Sequence, residues 1–138
     1  MDVGTRNPIR AARPDWLPDE HTLAAVAAGR WWDAIRVEGD LGTRLANTLL
    51  DAQGRRCGPV VRDPLGPRPT TYFLVAAGTS ARWAEPGTEA LGVCCYVVLP
   101  GNLDGDTRTV HWVSPPRDRL VGATTLRRLL PTLREVPS

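Results

Sequence analysis

The stretch GRWWDAIRV, residues 29–37, decides how the chain is read. Two adjacent tryptophans are followed by Asp33, Ala34, Ile35, Arg36 and Val37, in which charged and apolar side chains are interleaved. Alternation with a period of two marks a strand with a face against a core. Ile35 and Val37 define one face, and Trp31 joins them by parity. Ala34 and Arg36 define the other, and Trp32 joins these. One indole therefore packs in the core and its neighbour lies near Arg36. Two readings of the pair stay open: two partly buried anchors, or one anchor and one exposed platform on which a base or peptide stacks. Asp33 falls on the apolar face, where it stays hydrated at the strand's start or pairs with an arginine.

Directly after this strand, GDLGTRLANTLLDAQG (39–54) sets Leu41, Leu45 and Leu49, with Ala46 and Leu50, into one apolar stripe. That is a helix, with Asp40 as its N-cap and Gly54 at its end. Downstream, CGPVVRDP (57–64) predicts a short strand closed by Pro64, and TTYFLVAAG (70–78) a strong one. TSARWAEPGTEALG holds no more than a helical turn capped by Thr79 or Ser80. VCCYVVLPG (93–101) is the most apolar run and reads as a central strand covered on both faces. NLDGDT is a turn and RTVHWVSPP a further strand. In TTLRRLLPTLREV, Leu126, Leu129, Leu130 and Leu133 follow helical spacing, with Thr124 or Thr125 as cap. Pro131 predicts a kink there, or an end at Leu130.

Upstream, DEHTLAAVAAG (19–29) predicts a short helix capped by Asp19 or Thr22, with Gly29 just past its end. Residues 1–18, rich in Pro and Arg, read as a flexible arm with Trp16 and Leu17 docking; residues 19–138 read as a single domain. The expected fold is α+β: a mostly antiparallel sheet of about five strands with two to three helices packed on it.

The chain has 138 residues, 42% hydrophobic and 23% charged, in the range of one globular domain. Thirteen glycines and thirteen prolines point to many turns. All 17 basic residues are arginine, and the net charge is only +2, too small for nonspecific nucleic-acid binding over the whole surface. Residues 107–138 carry six arginines against Asp118 and Glu135, a basic stretch that is a phosphate-binding face or a solvated helix flank. Three cysteines, Cys57, Cys94 and Cys95, form no zinc spacing and no disulfide framework. Cys94 and Cys95 sit in the apolar run, where thiol reactivity falls. The opening residues lack the apolar run of a signal peptide, and no stretch approaches a membrane span. These features predict a reducing, cytoplasmic setting and no membrane.

Few residues carry recognisable chemistry. Asp63, just past an apolar strand and before Pro64, is either a metal ligand or the start of a turn. Asp104 and Asp106 lack the further oxygens of a calcium loop and read as a hairpin turn. His111 has no carboxylate near it in sequence, and His21 falls in the cap region of the first expected helix. Ser80 and Ser114 lie in no nucleophile elbow. Nucleotide-binding glycine loops are missing.

Taken in order, GRWWDAIRV, the leucine-rich helix, CGPVVRDPLG, TYFLVAAGTSARW, LGVCCYVVLP and VHWVSPP resemble a group of small actinobacterial proteins. Those are similar to the N-terminal domain of bifunctional DNA primase/polymerase proteins. The resemblance covers about residues 25–130 as a succession of strand patterns. It implies an α+β core related to the RNA-recognition fold. Active members of that family carry a strand-borne pair of acids, a strand histidine and a third acid, because two metal ions need converging carboxylates. Here PVVRDP offers Asp63 without a second acid two residues away. His111 is the candidate for the strand histidine, and no third acid matches. The resemblance thus implies a shortened, inactive relative without a cofactor: a module that binds nucleic acid or nucleotide. Its candidate contacts are Trp32, Arg36, Arg62, Tyr72, His111, Arg127 and Arg128, with arginine on phosphate and an aromatic on a base. A second reading is a protein-interaction or regulatory subunit with no nucleic-acid role, its exposed Trp and Arg serving as anchors. A third is an enzyme whose site is assembled from scattered residues, which requires Asp63, His111 and an arginine to converge.

Overall fold

The computed structural model describes residues 13–134. Seven strands form two antiparallel sheets, and two α-helices cover one of them. The strands are β1 (Leu23–Ala27), β2 (Asp33–Glu38), β3 (Val60–Asp63), β4 (Thr70–Val75), β5 (Glu89–Leu91), β6 (Tyr96–Pro100) and β7 (His111–Ser114). The helices are α1 (Gly39–Gln53) and α2 (Ala123–Arg134). The main sheet has the order β5-β2-β4-β3-β7, and β1 and β6 pair into a separate two-stranded ribbon. The fold is α+β, as a run of consecutive strand patterns flanked by helix patterns implies.

Every strand of the main sheet feeds two cores, because successive side chains point to opposite faces. On one face Ile35, Val37, Val60, Phe73 and Val75 pack beneath Leu45 and Leu49 of α1 and Leu126 and Leu130 of α2. On the other face Ala34, Val61, Leu74 and Trp112 pack beneath Val97 and Leu99 of the ribbon. The molecule is thus three layers deep: helices, sheet, ribbon. The Trp112 indole N–H crosses the second core and donates to Pro100 O at 2.8 Å, tying β7 to the ribbon.

The second core explains what became of the tryptophan pair. Trp32 does share its face with Ala34, as parity requires, but the ribbon covers that face and Trp32 is 0% exposed. Trp31 lies before the strand begins and is 38% exposed, with the Arg30 guanidinium 4.3 Å from its ring centroid. The buried and the exposed indole are therefore the reverse of a stacking platform at Trp32. Asp33 neither stays wet nor meets an arginine: it is buried, and its Oδ2 accepts the backbone N–H groups of Gly78 (3.0 Å) and Ser80 (2.8 Å).

Two elements differ from their sequence reading. Residues 19–29 do not form a helix; Leu23–Ala27 is a strand paired with Tyr96–Pro100. The alanines favour helix locally, but Val26 and Ala28 pack into the second core, and tertiary packing overrides propensity. VCCYVVLPG is not a central strand: only Tyr96–Pro100 is extended, one face of it is open, and Cys94 sits in a turn with φ 75°. Of the two readings of Pro131, the end at Leu130 does not occur: helix α2 runs on through Pro131 to Arg134. Smaller differences are local. Glu38, not Asp40, occupies the N-cap of α1, and Asp40 lies in its first turn. Thr79–Arg82 is a 3-10 turn preceded by Gly78. Thr124 and Thr125 lie inside α2. Of the expected arm, residues 1–12 fall outside the described residues, whereas Leu17 is buried in the second core with Trp16 against it. No helix among the described residues is long and apolar enough to cross a membrane.

Candidate functional site

The candidate contacts do not converge on one surface. Arg36 and Tyr72 are cross-strand partners on the ribbon-facing side of the sheet. They line a cleft of about 250 Å³ at the end of the sheet with Glu38, Asp63 and Arg68. Arg36 is committed within it: its Nη2 lies 2.7 Å from Glu38 and its Nη1 3.3 Å from Glu89. Contact with the Tyr72 side chain, and then with Glu38, holds the Arg36 pKa above its ordinary value. Asp63 Oδ1 accepts the Leu65 backbone N–H at 3.0 Å, the hydrogen bond of a turn before proline.

Arg62 and His111 stand opposite each other on β3 and β7, and register sets them on the helix-facing side, away from Arg36 and Tyr72. The Arg62 Nε and Nη2 are buried without a hydrogen-bond partner, and burial lowers the Arg62 pKa. His111 Nδ1 sits 2.7 Å from Thr109 O, so Nδ1 carries the proton and donates. Arg127 lies elsewhere again, on α2, where its guanidinium is 5.1 Å from the Trp83 ring centroid and donates to Arg82 O at 3.0 Å. Arg128 is exposed. The structure joins Arg36 with Tyr72 and Arg62 with His111, and keeps the two pairs and Arg127 apart. Asp63 and His111 lie on opposite faces of the sheet. Among the described residues no three His, Cys, Asp or Glu side chains are grouped to hold a metal ion.

What the sequence reading did not single out is the outer face of the ribbon. Its register pairs Leu23 with Pro100, Ala25 with Val98 and Ala27 with Tyr96. Strand pleating places Leu23, Ala25 and Ala27 beside Tyr96 and Val98 on the side away from the core. Every side chain on that face is apolar or aromatic, and Leu23, Tyr96 and Val98 are exposed. The turns at the ribbon's end carry two further exposed apolar side chains, Trp31 and Val93, the latter 77% exposed. Gly29 lets the two turns pack closely. Its φ is +96°, and a Cβ there would sit 2.7 Å from Val93 N. Exposed acids, Asp19 and Glu20, precede the Leu23 end of the face, and Arg30 closes the other end.

Comparison with known proteins finds no match. No family model, no curated protein and no solved structure matches the chain.

The sequence signal for this face was masked by its own composition. LAAVA and YVVLP are apolar on both sides, so the period of two shows no contrast between the side that faces the core and the side that faces water.

Proposed function

We propose that this chain is a protein-interaction module that associates through the outer face of the β1–β6 ribbon, with a second copy of the chain as its partner. The observation that carries the reading is the apolar face of Leu23, Ala25, Tyr96 and Val98, with Trp31 and Val93 exposed in the turns at the ribbon's end. Contiguous exposed apolar surface on a small domain marks an interaction site. The charges at its ends favour a second copy. Two ribbons stacked face to face about a two-fold axis that lies in the interface and runs perpendicular to the strands bring Arg30 of each opposite Asp19 and Glu20 of the other, an isologous contact. A five-residue strand spans roughly 17 Å, so the face is small and belongs to the class of weak, reversible associations. The primase/polymerase-like sequence pattern, with its incomplete acidic set, supports the same general role of binding. Three free cysteines fit a reducing cytoplasm.

Sedimentation velocity from a few micromolar to several hundred micromolar tests the proposal. A reversible monomer–dimer equilibrium is expected, abolished by Val98→Asp with the unfolding midpoint unchanged. A monomer at the highest concentration sinks it, as does a dimer indifferent to Val98→Asp. Titration with single- and double-stranded DNA at two salt concentrations separates the nucleic-acid reading. Binding that weakens steeply with salt and survives Val98→Asp would favour that reading over this one.

A further inference from the structure

Where the chain leaves β7, the ends of the helix layer and the second core leave a cavity of about 700 Å³. That volume is in the range of small-molecule sites. Its apolar lining comes from Leu17, Leu103, Pro115 and Pro116, and its cations from Arg13, Arg55 and Arg117. Asp118 is its one acid among the described residues. The four stretches that meet here are distant in sequence, so nothing in the sequence pattern announces the site.

The arginines are held in a particular way. Arg13 Nη2 donates to Pro18 O at 2.8 Å and its Nη1 to Gly101 O at 3.4 Å. Arg117 Nη1 is shared between Cys57 O (3.2 Å), the Ser114 hydroxyl (3.2 Å) and Pro115 O (3.4 Å). All five acceptors are neutral. Both guanidinium groups are thus fixed in place, yet neither pairs with a carboxylate among the described residues. Fixed carbonyl anchors reduce the conformational entropy that a flexible arginine loses on binding. A guanidinium anchored along one edge keeps other N–H groups for a planar oxyanion. Arg55 adds an exposed third cation at the rim.

We infer that this cavity is a binding site for a small organic anion with an apolar body, such as a ring or short chain bearing a carboxylate, sulfonate or phosphate. The apolar floor takes the body, while Arg13 and Arg117 take the charge. Three cations against one acid leave the cavity electropositive, and the leucine and proline lining excludes a bare inorganic ion as the best occupant. The site is separate from the ribbon's outer face, so it stands whether or not that face makes a dimer.

The test uses 8-anilinonaphthalene-1-sulfonate, an aromatic body with one sulfonate, followed by its fluorescence. The full chain is expected to bind it saturably at one site, with at least tenfold weaker binding in Arg13→Met and Arg117→Met. Arg117 also anchors Cys57 O, so that variant's fold is checked by circular dichroism. Arg55→Met, with an exposed side chain, serves as the variant that leaves the fold intact and is expected to weaken binding three- to fivefold. N-phenyl-1-naphthylamine, the same body without the sulfonate, is expected to bind at least tenfold more weakly. Val98→Asp is expected to leave the site untouched. The inference is overturned if the arginine variants bind the sulfonate as the parent does, if the uncharged probe binds as tightly, or if Val98→Asp alone removes binding.

Discussion

Trp16 stands edge-on to Trp32: their ring centroids are 5.7 Å apart and their planes meet at 78°. Trp16 also lies 6.3 Å from Trp112. The three indoles close the second core where the segment before β1 crosses it, and Leu17 beside them is buried. Edge-to-face aromatic pairs contribute beyond their buried area. Trp16→Ala is therefore expected to destabilise the fold by about 2–4 kcal/mol in urea unfolding, the lower part of the range reflecting its partial exposure. A loss under about 0.5 kcal/mol, typical of an uncommitted surface residue, would show that residues 13–18 contribute nothing to the core.

Asp33 links the first residue of β2 to the turn after β4. Its Oδ2 receives two backbone N–H groups, Gly78 and Ser80, while its Oδ1 is buried without a partner. Removing the carboxylate strands both amides in a part-buried site. Asp33→Ala is expected to cost about 2–3 kcal/mol, because hydrogen bonds to a charged acceptor are the stronger kind. Asp33→Asn keeps one oxygen where Oδ2 sits and is expected to recover roughly half of that loss. Thermal unfolding of the two variants checks the order; equal losses would mean that the charge, not the acceptor geometry, holds the turn.

The parts of the fold that could be read from sequence are those with contrast between faces. Leu41, Leu45 and Leu49 lie among polar neighbours, so α1 is visible, as is the alternating β7, whereas β4 is legible from its run of strand-favouring residues. The ribbon is not, because Leu23–Ala27 offers no polar residue to break the pattern, and its alanines favour helix until Val97 and Leu99 are in place to pair with it. Trp32 illustrates the same limit at a single residue. Parity put it on the correct face, but whether that face meets water or a second sheet is a tertiary fact. Residue type points to candidate contacts but says nothing of partners. Arg36 is consumed by Glu38 and Glu89, the latter on a strand 53 positions away.

Cys94 is the one non-glycine among the described residues with a positive φ, 75°, and its side chain is exposed in the turn before β6. Left-handed backbone costs an L-residue roughly 1 kcal/mol or more, and glycine escapes that cost. Cys94→Gly is expected to stabilise the fold by about 0.5–1 kcal/mol, the gain being trimmed by the greater freedom of glycine in the unfolded chain. The same exposure sets an order of thiol reactivity with a disulfide reagent: Cys94 first, half-buried Cys95 more slowly, and buried Cys57 only on unfolding. Reaction of Cys57 at the rate of Cys94 would contradict the layered core.

Cys57 gives the stability a pH dependence of known sign. Burial raises its thiol pKa, an effect that the Ser114 hydroxyl and the Arg117 charge only partly offset. In the unfolded chain the thiol ionises near pH 8.5, while in the fold it stays protonated to higher pH. Below that pH both states carry the proton and the thiol has no effect on the balance. Above it the unfolded state gives up its proton first, so stability falls as pH rises, at up to about 1.4 kcal/mol per pH unit, until the folded pKa is passed. Urea unfolding of the parent chain and of Cys57→Ala between pH 7 and 10 isolates this contribution, since the tyrosines titrate in both. Cys57→Ala is expected to be less stable at neutral pH by a constant amount, because a cavity is left behind, and the gap between the two is expected to narrow above pH 8.5. A gap that stays constant to pH 10 would mean that the Cys57 thiol ionises as readily in the fold as out of it.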